Sequence, residues 1–304
     1  MTNTTIDAAA AESDGPDEGL VISGPPRGAI RGAVFSVRAM IGQRELLSLL
    51  VRREIKARYK DSSLGLLWSL LRPLTMLLIY YVAIGKFLGA ERSIPEFAIF
   101  VFTGLTAWGL FSDIISTSTT SIVANAGLIK KVYVPREIFP LSAVGSAGFN
   151  FLVQSVILIL ATIVLGQAPL HLDLVLLPLS IIVLLLVSFS AGLLLAALNV
   201  YLRDVQHLVE VLLLVLFWAS PIVYSYRFVN DALRGGWLEQ LYLANPFTPI
   251  VLGFQKAIWI AGADQPWPPY LELRLLIVGL VALFALWAAQ RVFARLEGNF
   301  AQEL

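Results

Sequence analysis

The chain contains no recognisable enzyme active-site motif. It has no Asp-x-Asp pair for a metal-bound sugar nucleotide, no His-Glu-x-x-His zinc motif and no Gly-x-Ser-x-Gly nucleophile elbow. A phosphate-binding loop is also missing, because Gly85-Lys86 lacks the upstream glycine and the following Ser or Thr. There is no cysteine, and the only two histidines, His171 and His207, cannot form an imidazole cluster. We therefore expect no catalytic residue, no metal and no hydrolysis of ATP by this chain alone.

Two carboxylates, Asp113 and Glu210, occur in otherwise apolar segments. A carboxylate inside a membrane span is costly and usually functional. Asp113 stands among hydroxyl side chains, which favours hydrogen bonding within a bundle over proton relay. Glu210 is near the end of its segment, which favours a position at headgroup level. Two isolated carboxylates do not form a convincing proton pathway.

Aromatic side chains give a stronger functional signal. Those in or beside the apolar segments are Tyr59, Trp68, Tyr80, Tyr81, Phe217, Trp218, Tyr224 and Tyr226. Aromatic rings stack on the C–H faces of sugars, and phenol oxygens bond sugar hydroxyls, so an aromatic-lined conduit suits a glycan. The alternatives are an interfacial aromatic belt for Tyr224 and Tyr226, and packing against lipid or helices for the deeper rings.

The composition is that of a membrane protein. Hydrophobic residues make up 58% of the 304 residues and charged residues 14%, against roughly 25% charged in soluble proteins. Mean hydropathy is +0.78, and a soluble fold of this size could not hide so much apolar surface. The net charge of +1, without a basic stripe interleaved with aromatics, argues against nucleic-acid binding.

Six apolar segments have the length that a membrane span requires, about 20 residues. They should be helices, because a helix satisfies its own backbone polar groups without water. The predicted spans are Leu71–Phe87, Phe97–Ser121, Ile138–Leu165, Leu174–Val200, Leu208–Tyr226 and Leu273–Phe293. The sequence therefore predicts an all-α polytopic membrane protein with six transmembrane helices in residues 71–304.

The distribution of basic residues predicts the orientation. Of the 22 Lys and Arg residues, 16 fall on one side of the predicted spans and six on the other. Cytoplasmic loops carry the excess of Lys and Arg, so both termini should be cytoplasmic. Residues 1–32 are rich in Ala, Thr, Asp, Glu, Gly and Pro and are interpreted as a disordered cytoplasmic tail.

Two segments depart from a simple pattern of spans and loops. Within the interface region 33–70, Gln43–Lys60 is amphipathic, with Leu47, Val51, Ile55 and Tyr59 on one face and Arg52, Arg53, Lys56 and Lys60 on the other. Such a helix is expected at the membrane surface, its basic face toward headgroups or a partner. The outer segment 227–270 contains Pro246–Gly262, apolar but too short to span, which predicts short re-entrant helices.

Five strings in register resemble the permeases of the ABC type-2 polysaccharide-exporter family. They are REIKARYKDSSLGLLWSLLRPL from Arg53, KKVYVPREIFPL, NVYLRDVQHL, ASPIVY and NPFTPIV. The resemblance extends from about Arg44 onward. Members of that family are the membrane subunits that export O-antigen, teichoic acid and galactan. It implies that this chain moves a lipid-linked polysaccharide across the bacterial inner membrane.

The resemblance also implies partners and residue roles. Two copies of the permease would assemble with two ABC nucleotide-binding subunits, which bind ATP and Mg²⁺. The first and fifth spans would line the substrate conduit, through Tyr59, Trp68, Tyr80, Tyr81, Phe217, Trp218 and Tyr224. The interface helix and the segment Ala126–Glu137 would couple to the ATPase, through Arg52, Arg53, Lys56, Arg58, Lys60, Lys130, Lys131 and Arg136. For Arg58, Tyr59 and Lys60, the alternatives to contact with the ATPase are contact with the substrate's diphosphate and anchoring to lipid headgroups.

Other transport functions remain open at the level of sequence. The main alternative is an ABC type-2 permease for a lipid or a drug. An ion-coupled secondary transporter and a membrane glycosyltransferase are further alternatives. The missing metal and base constellation argues against the glycosyltransferase, and the absence of paired inverted repeats with broken spans argues against the secondary transporter.

Overall fold

The computed structural model describes residues 42–59, 67–132, 134–233 and 236–304. Within these ranges the chain is helical and contains no strand. The predicted tail 1–32 lies outside the described residues, as does Lys60. The helices are α1 (Arg44–Tyr59), α2 (Leu67–Tyr80), α3 (Phe97–Ala124), α4 (Ala126–Ile129), α5 (Ile138–Val164), α6 (Leu176–Tyr201), α7 (Val205–Trp218), α8 (Tyr226–Leu233), α9 (Trp237–Ala244), α10 (Phe247–Ile258), α11 (Leu271–Leu296) and α12 (Phe300–Glu303).

Five helices in the described part of the chain are long and apolar enough to cross a membrane. They are α2 with its continuation to Phe87, α3, α5, α6 and α11. Their bounds lie within a few residues of the predicted spans; α5, for example, covers Ile138–Val164 where Ile138–Leu165 was predicted. A sixth apolar helix, α7, is shorter. The prediction of an all-α polytopic membrane protein is confirmed.

The bundle is centred on α3 and α6. Helix α3 contacts α5, α6, α7 and α10, and α6 also packs along α11. Close approach of the two central helices depends on Gly192, where a Cβ atom would lie 2.7 Å from Cβ of Ser118. Small residues allow membrane helices to approach closely in this way, since lipid provides no hydrophobic drive for association.

Helix α2 lies at the periphery of the bundle. Its outward side chains, including Leu78 and Ile79, are largely exposed. After Tyr80 the helix widens into a π-helical stretch, Tyr81–Phe87, in which Gly85 is buried against Phe97. A Cβ atom at Gly85 would lie 2.9 Å from the Phe97 ring, so glycine is needed for this contact. The first span therefore packs on the bundle through α2, which contacts α3 and α5, and through the π-helical stretch, which contacts α3.

The fifth predicted span, Leu208–Tyr226, is helical only as far as Trp218. Helix α7 has 14 residues, about 21 Å at 1.5 Å per residue, whereas the hydrocarbon core is about 30 Å thick. It ends just before Ser220 and Pro221, because proline lacks a backbone N–H and its ring clashes with the preceding turn. From Ser220 onward the chain runs without regular structure to Ser225 and is mostly buried. The predicted helical bound at Tyr226 is thus eight residues too far along the chain.

The predicted amphipathic helix is present as α1 and packs on α5. Leu50 is buried, and the Val51 side chain contacts the backbone at Gly145, where a Cβ atom would lie 2.6 Å from Val51 Cγ2. Ser142 of α5 donates a hydrogen bond to Glu54 Oε1 at 2.7 Å. The apolar face of α1 therefore contacts the bundle itself, while Arg52 and Lys56 are exposed.

The outer segment folds into the short helices α8, α9 and α10. Nearly every residue of α10 is buried, and the helix contacts α3, α6 and α11. Its one half-buried residue, Lys256, pairs with Glu272 at 3.0 Å and with Asp173 at 3.5 Å. These pairs join α10 to the beginnings of α6 and α11. The prediction of short helices in the last outer segment is confirmed.

Candidate functional site

A groove of about 820 Å³ opens between α2 and α7. Helix α3 forms its floor, with contributions from α5 and, at one end, from α1. Helix α2 contributes positions 72, 73, 76 and 80, and spacings of three or four place residues on one helical face. The lining residues are Arg58, Arg72, Pro73, Met76, Tyr80, Leu105, Trp108, Gly109, Ser112, Asp113, Ser116, Asn150, Gln154, Glu210, Leu213, Leu214, Phe217 and Trp218.

One part of the groove lining is aromatic. Tyr80 stacks on Phe217 with ring centroids 5.9 Å apart, and lies edge-on to Trp218 at 6.5 Å. Trp108 of α3 meets Phe217 edge-on at 5.4 Å and Phe247 at 5.1 Å. Such edge-to-face pairs fix ring orientation beyond simple area burial. Trp218 remains 51% exposed, so its ring is available to a ligand.

The floor of the groove is polar. Ser112, Asp113 and Ser116 of α3 share one helical face, as do Asn150 and Gln154 on α5, four residues apart. The Asn150 amide donates to Asp113 Oδ2 at 3.3 Å. Hydroxyl, amide and carboxylate groups would be costly against lipid chains, so this floor indicates a hydrated groove.

The charges that line the groove balance one another. Arg58 Nη1 lies 3.4 Å from Asp113 Oδ2, with both side chains more than a third exposed. A pair of this exposure contributes roughly 0–1 kcal/mol. Asp113 thus has two partners within the bundle, Arg58 and Asn150. The remaining charged lining residues are Arg72 and Glu210, and Glu210 lies 3.9 Å from His207 of the same helix.

The irregular segment after α7 is held by two side chains, that of Asn245, which follows α9, and that of Gln255 in α10. Asn245 Nδ2 donates to the carbonyl of Ala219 at 3.2 Å, and Gln255 Nε2 donates to the carbonyl of Pro221 at 2.8 Å. Non-helical backbone at membrane depth is tolerated where protein buries it and supplies its partners. The strings ASPIVY and NPFTPIV, which are separate in sequence, are therefore in contact.

A chain of hydroxyl groups connects the outer helices to the groove. Tyr242 of α9 bonds the Tyr224 hydroxyl at 3.3 Å, and Tyr224 donates to the backbone carbonyl of Trp218 at 2.9 Å. Burial raises the pKa of Tyr242, which keeps this phenol a protonated donor. Trp218, the last residue of α7, carries an exposed indole and is thereby linked through Tyr224 to α9.

Three of the seven predicted conduit residues line the groove: Tyr80, Phe217 and Trp218. Tyr81 does not line it; its ring lies 5.2 Å from Lys86 Nζ. Tyr224 lies behind the groove, bonded to Trp218. The side chains of Tyr59 and Trp68 lie outside the described part of the structure.

The predicted coupling residues occupy three different settings. Arg52, Arg53 and Lys56 are exposed on α1, and Arg53 also donates to Asn125 Oδ1 at the end of α3. Arg58 points into the groove. Lys130, Lys131 and Arg136 line a second cavity of about 240 Å³ after α4, and Lys60 lies outside the described residues.

Sequence reasoning missed Trp108, Asn150 and Gln154 as site residues. The resemblance directs attention to the first and fifth spans, and these three residues lie on the second and third. A signal was available: Asn150 and Gln154 are polar residues four apart in an apolar span, which places two amides on one face. Polar groups within a span are expensive and often functional.

Residues 45–259 match the model of the ABC-2 type transporter family. An O-antigen export system permease protein from Myxococcus xanthus is 30% identical over 268 residues, which is 88% of this chain and 98% of that protein. One of the same name from Klebsiella pneumoniae is 27% identical, over 86% of this chain and 95% of that protein. A polysialic acid transport protein from Escherichia coli is 27% identical, over 71% of this chain and 82% of that protein.

Proposed function

The chain belongs to the ABC-2 type transporter family, and we propose that it is the membrane subunit of an ATP-driven polysaccharide exporter. Its substrate would be a lipid-linked glycan of the O-antigen, teichoic acid or galactan type, moved from the cytoplasmic to the outer face of the inner membrane. The observation that carries this proposal is the similarity to O-antigen export permeases over nearly the whole chain. The groove supports it, since aromatic rings beside a hydrated polar floor suit a sugar chain better than a lipid tail.

ATP hydrolysis is assigned to a separate nucleotide-binding subunit, which binds ATP and Mg²⁺. The sequence of this chain has no phosphate-binding loop. Exposed basic side chains on α1 and after α4 suit an acidic docking surface on that subunit. They are Arg52, Lys56, Lys130 and Lys131. Both elements would then face the cytoplasm.

A second copy of the chain completes the conduit in this proposal. The groove is open on the side between α2 and α7, and its polar floor cannot face lipid at low cost. The outward sides of both helices are apolar and exposed, with Leu78, Val211 and Val215 among the exposed residues. Two such faces opposed to each other would enclose a path for the glycan and leave apolar surface for lipid contact.

Deletion and complementation in the host test the proposal. We expect a strain lacking the chain to lose one surface glycan and to accumulate its lipid-linked form inside. Expression of the chain with its ATPase subunit should restore export, whereas either subunit alone should not. Normal surface glycan in the deletion strain, with a changed lipid or drug profile, would overturn the assignment to polysaccharide.

A further inference from the structure

Gln154 of α5 presents a primary amide to the groove. Gln154 lines the groove, and it hydrogen-bonds no other residue in the described part of the chain. Its Oε1 lies 3.6 Å from the place that a Cβ atom at Gly109 would occupy, so the glycine leaves space beside the amide. A primary amide offers two donors and an acceptor, and in a hydrated groove these groups can exchange water for the hydroxyls of a ligand. The position therefore fits a ligand that supplies hydrogen bonds.

The groups around Gln154 suit a hydroxyl-bearing ligand. Asn150 lies one helical turn away, Asp113 and Ser112 face it from α3, and Trp108 occupies the same stretch of α3. Amides and carboxylates can pair with adjacent hydroxyls as donor and acceptor, and an indole offers an apolar face to a ring. The combination matches a pyranose, which carries hydroxyls at its edge and C–H groups on its faces.

The charge of the groove favours a neutral sugar. Arg58 is paired with Asp113 at 3.4 Å, and the other charged lining residues, Arg72 and Glu210, are opposite in sign. No excess of positive charge among the described lining residues is available to hold an anionic unit. The polar floor can therefore bind through hydrogen bonds without trapping a charged polymer.

We propose that Gln154, Asn150 and Asp113, with Trp108, form a sugar-binding subsite on the second and third spans, which adjoins the aromatic residues of the first and fifth through the contact of Trp108 with Phe217. This inference rests on the proposed function. The subsite lies on α3 and α5, which pack extensively on each other, while α2 is peripheral. A sugar unit would thus be held by the floor of the groove, on two helices that are packed against each other.

Photo-crosslinking in the assembled exporter tests this subsite directly. We would place p-benzoyl-phenylalanine at Gln154, at Trp218 and at Leu152, using a complex whose ATPase subunit is inactivated so that glycan is retained. Leu152 is the matched control, because it is two residues away on α5 and 63% exposed on another face. We expect glycosidase-sensitive adducts at Gln154 and Trp218 and none at Leu152.

The other outcomes separate the subsite from the proposed function. An adduct at Trp218 without one at Gln154 would leave the exporter assignment standing and overturn the subsite. Adducts at neither position would contradict both. Equal adducts at Gln154 and Leu152 would show that the glycan contacts α5 without a defined site. That result would also overturn the subsite.

Export measured on Gln154→Leu gives a second readout. Leucine has a similar size without the amide, and the loss of one hydrogen bond corresponds to roughly a five-fold effect. We expect export to fall by about that factor at equal membrane abundance, and Leu152→Ala to export normally. Undiminished export by Gln154→Leu would overturn the proposal.

Discussion

Gln255 donates a hydrogen bond from Nε2 to the backbone carbonyl of Pro221 at 2.8 Å, across 34 residues of sequence. The side chain is fully buried. Proline ends α7, and the carbonyl it presents to the bundle finds its partner on α10. One amide thus joins the broken fifth span to the outer helices.

Replacing that amide should destabilise the protein. Gln255→Leu removes the bond and leaves a buried carbonyl without its side-chain donor, which costs about 1–3 kcal/mol. The lower part of that range is expected, because Gln255 Oε1 has no partner among the described residues and its burial is already unfavourable. Thermal unfolding in detergent measures the effect. Gln265→Leu is the control, because the Gln265 amide makes only a long hydrogen bond of 3.4 Å to the Ser93 carbonyl. An equal loss of stability in Gln265→Leu would contradict the role assigned to Gln255.

Three aromatic residues should respond differently to truncation. Tyr80→Ala and Trp218→Ala remove rings that line the groove, whereas Tyr81→Ala removes one that does not. An aromatic contact worth about 0.5–1.5 kcal/mol corresponds to a roughly two- to ten-fold fall in export. Trp218 is half exposed, so its removal should cost less than the 3–5 kcal/mol typical of a buried ring.

Membrane abundance measured beside surface glycan separates the two roles. Lower export at normal abundance supports a conduit contact, while lost protein supports packing. If Tyr81→Ala impaired export as much as Trp218→Ala, the groove would not define the path.

Gly192 should tolerate no side chain. Gly192→Val drives a branched side chain into Ser118, whose Cβ would lie 2.7 Å from the new Cβ. Overpacking of this kind costs about 1–3 kcal/mol, so we expect lower yield and a lower Tm. Gly148→Val is the matched control on α5, because no atom lies within 4 Å of a Cβ at that position. Similar losses in both variants would refute the close α3–α6 contact as the cause.

Cysteine labelling can determine the orientation, since the native chain has no cysteine. The excess of basic residues places Lys131 inside and Asp231 outside. Lys131→Cys should therefore react with an impermeant maleimide only after the membrane is opened, and Asp231→Cys in intact cells. Both positions are exposed, so access is not limited by burial. The opposite pattern at either site would reject cytoplasmic termini.

Much of the helical framework could be predicted because membrane spans are encoded locally. A run of about 20 apolar residues is sufficient to identify a span, and α3, α5, α6 and α11 follow that rule. The amphipathic spacing of α1 is equally local. The predicted end of the fifth span was wrong because apolar residues continue to Tyr226. These residues are apolar because helices distant in sequence bury the chain after Trp218, not because the helix continues.

The composition of the groove was less accessible from sequence. The aromatic part of the groove was predicted from the family resemblance, which implies that the first and fifth spans line the conduit. Its polar floor depends on which faces of α3 and α5 turn inward, and that is decided by packing contacts such as Val51 against Gly145. Hydrophobic periodicity is weak in helices that are apolar on all sides. The pairing of Asn150 with Asp113 was therefore not predictable from their separate positions.

The broken fifth span has a consequence for biogenesis. The donors that satisfy the carbonyls of Ala219 and Pro221 lie 26 and 34 residues later in the chain. During synthesis, α7 leaves the ribosome as a helix too short to cross the bilayer by itself, followed by backbone groups whose partners have not yet been made. Stable insertion of this part must wait for Asn245 and Gln255 to emerge. The translocon would therefore release residues 205–258 as one unit instead of helix by helix.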